Sequence, residues 1–124
     1  LRNDAMNPNG PSQRQVRVGE LIKRVLGELL MRGDLHEEPI LTRGNVLISE
    51  VRPSPDLRHA QVYVAAHGQV ETGEAVAAVN RLRHQLKGKV SRLVRVKFAT
   101  DLHFAADGSF DEADGIGQLL AGKS

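Results

Sequence analysis

Ser54-Pro55-Asp56-Leu57-Arg58-His59-Ala60-Gln61-Val62-Tyr63-Val64 is the stretch that decides the fold. A turn signal passes at once into strict alternation, with Ala60, Val62, Val64 and Ala66 on one face and Gln61, Tyr63 and Ala65 on the other. That is the period of a β-strand with one buried face, expected over residues 58–66. Upstream, Val46-Leu47-Ile48-Ser49-Glu50-Val51 supplies the other arm, expected over residues 44–51. Val46 and Ile48 keep period two while Val51 falls out of phase, which predicts a β-bulge near Ser49-Glu50. Pro53-Ser54-Pro55-Asp56 turns the chain between the arms. The result is an antiparallel hairpin.

Outward from the hairpin, helical spacing takes over on both sides. Val18, Leu21, Ile22, Val25, Leu26, Leu29 and Leu30 form the i, i+3, i+4 stripe of an amphipathic helix running from Val16 to about Arg32. Gly33-Asp34 is its stop signal, and residues 34–43 read as a loop. After the hairpin, Gly68 and Gly73 bracket the entry to a second helix with Val76, Val79, Leu82, Leu86 and Val90 inside. Gly88 sits within it, so a bend is expected there or just before. A last strand is expected from Val94 to Phe104, with Val94, Val96, Phe98, Thr100, Leu102 and Phe104 alternating against Arg95, Lys97, Ala99, Asp101 and His103. Helix, strand, strand, helix, strand is an α+β order: a three-stranded sheet with helices on one face, in two layers.

With 124 residues the chain is one domain. Residues 1–13 carry little to bury and are expected to be a disordered leader, residues 14–110 the folded domain, and residues 111–124 an acidic tail with room for one short helix. No cysteine is present, which removes disulfides and thiolate metal sites. No apolar run approaches a membrane span or a signal-peptide core, so the expected location is the cytoplasm. Aromatics make up only 3 %, too few for a base-stacking platform.

The net charge of +2 conceals a dipole. Arg81, Arg83, Lys87, Lys89, Arg92, Arg95 and Lys97 form a cationic block without an acidic residue, and Asp101, Asp107, Asp111, Glu112 and Asp114 come after it. One-signed blocks of this kind mark polyanion-binding surfaces. Catalysis finds no support. The histidines His36, His59, His67, His84 and His103 are scattered, with no HxH or HExxH spacing, so neither a metal nor any other cofactor is expected. No GxSxG, Walker loop or GxGxxG occurs. Asp56 reads as a turn residue accepting backbone N–H bonds.

The element order resembles a type II K-homology fold, a single-stranded RNA binder whose GxxG loop is missing here. Ser54, Asp56-Leu57, Ala60, Val62-Tyr63-Val64, and then Leu93, Arg95, Leu102, Phe104 and Asp107, closely resemble the ribosome-binding factor A family. The similarity covers roughly residues 14–120. In that family an Ala-x-Gly kink between two helical pieces replaces the GxxG; here Leu82-Arg83-His84 occupies that place, and Thr100 stands where the family usually has proline. The resemblance implies a monomeric, non-enzymatic factor that binds 16S rRNA, near its 5′ end, on free 30S subunits and assists late maturation. Electrostatic docking on folded rRNA is the mechanism consistent with both readings. The contact residues expected are Arg81, Arg83, His84, Lys87, Lys89 and Arg92, flanked by Arg14, Arg17, Lys23 and Arg24 and by Arg58 at the hairpin. The competing expectation is a protein-interaction module or ferredoxin-like dimer using the hairpin edge.

Overall fold

The computed structural model describes residues 10–32, 35, 37–42, 46–68, 70–97 and 99–108. Helix α1 spans Gln13–Arg32 and starts earlier than its apolar stripe suggests. Ser12 and Gln15 explain the difference by forming a reciprocal capping box. The Gln15 N–H donates to Ser12 Oγ (3.1 Å) and the Ser12 N–H to Gln15 Oε1 (2.9 Å). Gln15 also ties the helix to the sheet, its Nε2 donating to the Pro53 carbonyl at 2.9 Å. Val18, Ile22, Val25, Leu26, Leu29 and Leu30 are buried, as the periodicity requires. The stop signal Gly33-Asp34 and the acidic tail lie outside the described residues.

Strand β1 runs Val46–Pro53 and pairs antiparallel with β2, His59–Ala66. The register shifts between Ile48 and Glu50, where the bulge was expected. The extra residue resets the alternation, so Val51 and Pro53 rejoin Val46 and Ile48 inside. Ser49 uses its free hydroxyl to donate to the Tyr63 carbonyl at 3.2 Å. The strand therefore extends two residues past its expected end. On β2, Ala60, Val62 and Val64 are buried as expected; Ala65, expected on the outer face and paired with Leu47, is buried too, while Ala66 is only half-buried.

The turn is held by Asp56, whose Oδ1 accepts from Ser54 Oγ (2.7 Å) and the Arg58 N–H (3.0 Å). The hydroxyl of Ser54 is the chief reason its carboxyl titrates below the ordinary range, with the Arg58 amide next. Leu57 takes a left-handed conformation, φ 62°, which costs a non-glycine residue about 1–2 kcal/mol. Two features hold it there: its side chain is buried, and its carbonyl accepts from Thr100 Oγ1 at 2.8 Å.

The second helix is two helices. α2 spans Thr72–Arg81 and α3 spans Arg83–Leu93, broken at Leu82 (φ −102°, ψ 12°). The buried stripe passes through the break, with Ala75, Ala78, Val79, Leu82, Leu86 and Val90 all inside. Gly88 lies within α3 and has no part in the bend. A Cβ added there would meet only Arg92 Nη1, at 3.9 Å. Gly88→Ala is therefore expected to stabilise the fold by about 0.4–1 kcal/mol. A lowered midpoint in urea would contradict this.

Strand β3 is Asp101–Ala106, much shorter than residues 94–104. It pairs parallel with β2, starting at His59↔Asp101. That pairing explains the correction: β2 begins at His59, so the described residues between Val94 and Thr100 have no strand to bond with. Val94 instead closes α3, its N–H donating to the Val90 carbonyl at 2.7 Å, and Thr100 is buried. Phe98, expected inside, lies outside the described residues. The sheet order is β1-β2-β3. α1 covers β1, α2 covers β2 and β3, and α3 touches both α1 and β3. Within the region read as a loop, a 3₁₀ turn at Pro39–Thr42 carries Leu41 into the core beside Leu35.

Candidate nucleic-acid interface

The break at Leu82 starts a new helix, and the first residues of that helix carry the cations. At 100° per residue, Leu86 and Val90 point inward while Arg83, His84 and Lys87 lie on the flank towards β3. These three line a groove of about 250 Å³ with Asp101, Leu102 and His103 of β3. Arg83 and His84 are exposed and make no hydrogen bond or ion pair among the described residues.

The cationic block is not one free surface. Arg81 makes a two-pronged pair with Glu38, Nε and Nη2 each donating at 2.8 Å. That guanidinium holds the Glu38 carboxyl below the ordinary carboxylate range. Lys87 Nζ donates to Asp101 Oδ1 at 2.5 Å. The lysine is the main cause of the lowered Asp101 pKa, with charge on Lys87, His59 and His103 adding to it. Because the folded pKa is depressed, the contact is complete above the unfolded carboxylate value and is lost as pH falls through the folded one. Lys89, two residues on, is turned about 200° from Lys87 and leaves the groove flank. Arg92 points outward beside Gly88.

On α1, Arg17 and Arg24 are seven residues apart and share a flank. Lys23 lies about 120° from Arg17 on the side of the β1 edge, half-buried. Arg58 is exposed in the hairpin turn, and its carbonyl accepts from the Asp101 N–H at 2.8 Å. The structure thus brings Arg83, His84 and Lys87 together, with Arg81 preceding them across the break; Lys89, Arg92 and the α1 cations face other directions.

Sequence reading missed the acidic partners, Glu38 and Asp101, which lie 43 and 14 residues away from the cations they hold. It also missed the meeting of His59 and His103 across β2 and β3. The Nδ1 of His59 is 3.1 Å from His103 Nε2 and 3.9 Å from Asp101 Oδ2, with the ring centroids 5.3 Å apart. Among the described residues no group of three His, Asp or Glu side chains is placed to hold a metal ion.

Residues 14–120 match the family model described as ribosome-binding factor A. This chain belongs to that family. Ribosome-binding factor A of Paracoccus denitrificans is 45 % identical over 112 residues, covering 90 % of this chain and 80 % of the relative. The factor of Methylorubrum extorquens is 47 % identical over 113 residues, covering 91 % and 77 %. The crystal structure of ribosome-binding factor A from Thermus thermophilus superposes with a TM-score of 0.62 at 27 % identity, covering 74 % of this chain and 94 % of that one. A coordinate set for the Thermus thermophilus factor, fitted into a cryo-electron-microscopy map of its complex with the 30S subunit, gives 0.56 at 25 % identity, covering 76 % and 96 %. Membership makes the protein a non-enzymatic ribosome-assembly factor. Among the described residues no helix is long and apolar enough to cross a membrane.

Proposed function

We propose that this ribosome-binding factor A binds the free 30S subunit in the cytoplasm and assists its late maturation, contacting 16S rRNA through the start of α3. One observation carries the choice of surface: Arg83 and His84 stand unpaired at the helix break, on a groove open to solvent. An unpaired guanidinium such as that of Arg83 gains most from phosphate, because no internal ion pair must be given up first, and the His84 ring N–H is placed to donate beside it. The rigid break fixes their direction, so backbone shape is read in preference to base edges. Lys89, Arg92, Arg17, Lys23, Arg24 and Arg58 extend the positive field around this centre, and Arg81 and Lys87 contribute once their carboxylate partners yield. Contact near the 5′ end of 16S rRNA is the finer form of the proposal, and a protein acting as a monomer suffices for it.

Co-sedimentation with isolated 30S subunits over a salt series tests the reading. In the double variant Arg83→Gln with Lys89→Gln, each lost phosphate contact should lower the salt slope of log K by roughly 0.7–0.9. The circular dichroism spectrum should not change, since neither side chain has a partner among the described residues. Unchanged affinity and slope would refute the surface. Asp101→Asn should act in the opposite direction. It frees Lys87 from its ion pair, and the slope should rise by about the value of one contact. Weaker binding in that variant would show Lys87 to be needed where it is.

A further inference from the structure

The side of the sheet turned away from the helices gathers planar side chains that lie far apart in the sequence. Alternation along the strands sends Glu50 and Arg52 of β1, His59, Gln61 and Tyr63 of β2, and Asp101, His103 and Ala105 of β3 to that side. The register sets them in rows: His59 beside Asp101, then Arg52, Gln61 and His103, then Glu50, Tyr63 and Ala105. Arg52, His59 and His103 are exposed, and Gln61 and Tyr63 are half-buried. Phenylalanine and tyrosine are too few here to build a stacking platform alone. Imidazole rings and guanidinium planes stack on bases as well, and the fold collects both kinds around the single tyrosine.

His59 and His103 meet edge to edge. Their facing ring nitrogens are 3.1 Å apart, the centroids 5.3 Å apart and the planes inclined by 32°, so neither ring covers the face of the other. One row over, Tyr63 has the Arg52 guanidinium carbon 5.3 Å from its centroid. Gln61 lies between the two groups, its Nε2 donating to the His103 carbonyl at 2.9 Å. Both carboxylates of this side are matched by a cation, Glu50 by Arg52 at 2.8 Å and Asp101 by Lys87 at 2.5 Å. Of the large apolar side chains exposed among the described residues, only Leu47 belongs to a strand, which leaves a protein partner little to bury here. The patch is continuous with the α3 groove, because Asp101 and His103 line that groove together with Arg83, His84 and Lys87.

We propose that His59, His103 and Tyr63 form a base-stacking site for single-stranded RNA on the outer face of the sheet. One unpaired base lies against the imidazole pair and the next against the phenol ring and the Arg52 guanidinium, while the phosphates run towards Arg83 in the adjoining groove. Stacking accepts every base, so the site selects unpaired RNA without selecting its sequence, a distinction that cations alone do not make. The phosphate path rests on the α3 surface proposed above; the stacking does not.

The chain holds one tyrosine and no tryptophan, so its ultraviolet emission reports on Tyr63 alone. Single-stranded oligoadenylate should quench that emission saturably in the full chain, after correction for absorption by the bases. The same strand annealed to oligouridylate should leave it unchanged, because a duplex keeps its base faces covered. His103→Ala should weaken oligoadenylate binding about tenfold, within the range of one lost base stack. Its circular dichroism spectrum should not change, since Gln61 bonds the backbone carbonyl at that position and not the ring. His103→Phe keeps a ring and should bind as the parent does; His103→Lys keeps only a charge and should not. Absent quenching, equal quenching by the duplex, or parental affinity in His103→Lys but not in His103→Phe would overturn the base site. Quenching by oligoadenylate in a protein whose 30S binding ignores Arg83→Gln with Lys89→Gln would instead refute the α3 surface and leave the base site standing.

Discussion

Val62→Asp is expected to unfold the protein at moderate temperature. Val62 has no exposed surface and sits on the central strand, with Val51 beside it on β1 and Phe104 on β3. The substitution removes a buried side chain whose burial stabilises the fold by about 1.5–3 kcal/mol. It also brings in a carboxyl with no hydrogen-bonding group aimed at it from the surrounding apolar side chains. Whether that carboxyl stays charged or takes up a proton, it adds about 2 kcal/mol or more. The sum, on the order of 4–5 kcal/mol, is a large part of a small domain's stability. A fall in Tm of about 20 °C, or loss of the cooperative transition, should be seen by calorimetry. Tyr63→Ser should be far milder. Tyr63 is half-buried on the opposite face, and its ring gives up a cation–π contact with Arg52, whose guanidinium carbon is 5.3 Å from the ring centroid. If Val62→Asp melts within a few degrees of the parent, the assignment of the buried face is wrong.

Gly19→Leu should be nearly as damaging for a different reason. An ideal Cβ at Gly19 lies 2.7 Å from the Val51 carbonyl oxygen and 3.0 Å from Pro53 Cδ. Those atoms belong to the backbone and to a proline ring, neither of which can swing aside. Helix α1 must therefore lift from β1, opening the packing of Val18 and Ile22 on the sheet and straining the Gln15–Pro53 bond. Overpacking of this kind costs about 3 kcal/mol. Gly27→Ala, on the same helix with nothing within 4 Å of its Cβ, should instead stabilise by about 0.4–1 kcal/mol. Urea unfolding of the pair decides the matter; equal effects would mean that the close approach at Gly19 does not exist.

The candidate site was legible in its cations and illegible in its anions. Arg83, His84 and Lys87 could be named from their run in the chain, because a helix keeps near residues near. Glu38 and Asp101 reach their partners only after the chain has folded back, so no local pattern announces that Arg81 and Lys87 are already engaged. The helix break was legible only through the family resemblance, which set a kink at Leu82-Arg83-His84 beside the alternative at Gly88. A buried stripe at helical spacing runs unbroken from Ala75 to Val90, and nothing local distinguishes Leu82 from a helix interior. Gly88, the residue with the weakest helix propensity there, stays helical because tertiary packing outweighs about 1 kcal/mol of propensity.

By itself, the sequence determined the hairpin, its bulge, both helical stripes, the buried face of β2 and the family. These are set by periods of 2 and 3.6 residues and by turn chemistry, all of which act over short stretches of chain. Only the tertiary structure decided where β3 begins. Residues 94–100 alternate as well as any strand, but a strand exists only where a neighbour offers its hydrogen bonds, and β2 starts at His59. It also decided that Leu57 adopts a left-handed backbone, because burial of its side chain and the bond from Thr100 outweigh the local cost. Last, it decided which cations remain free for phosphate, since ion pairing depends on distances in space that the order of residues along the chain does not contain.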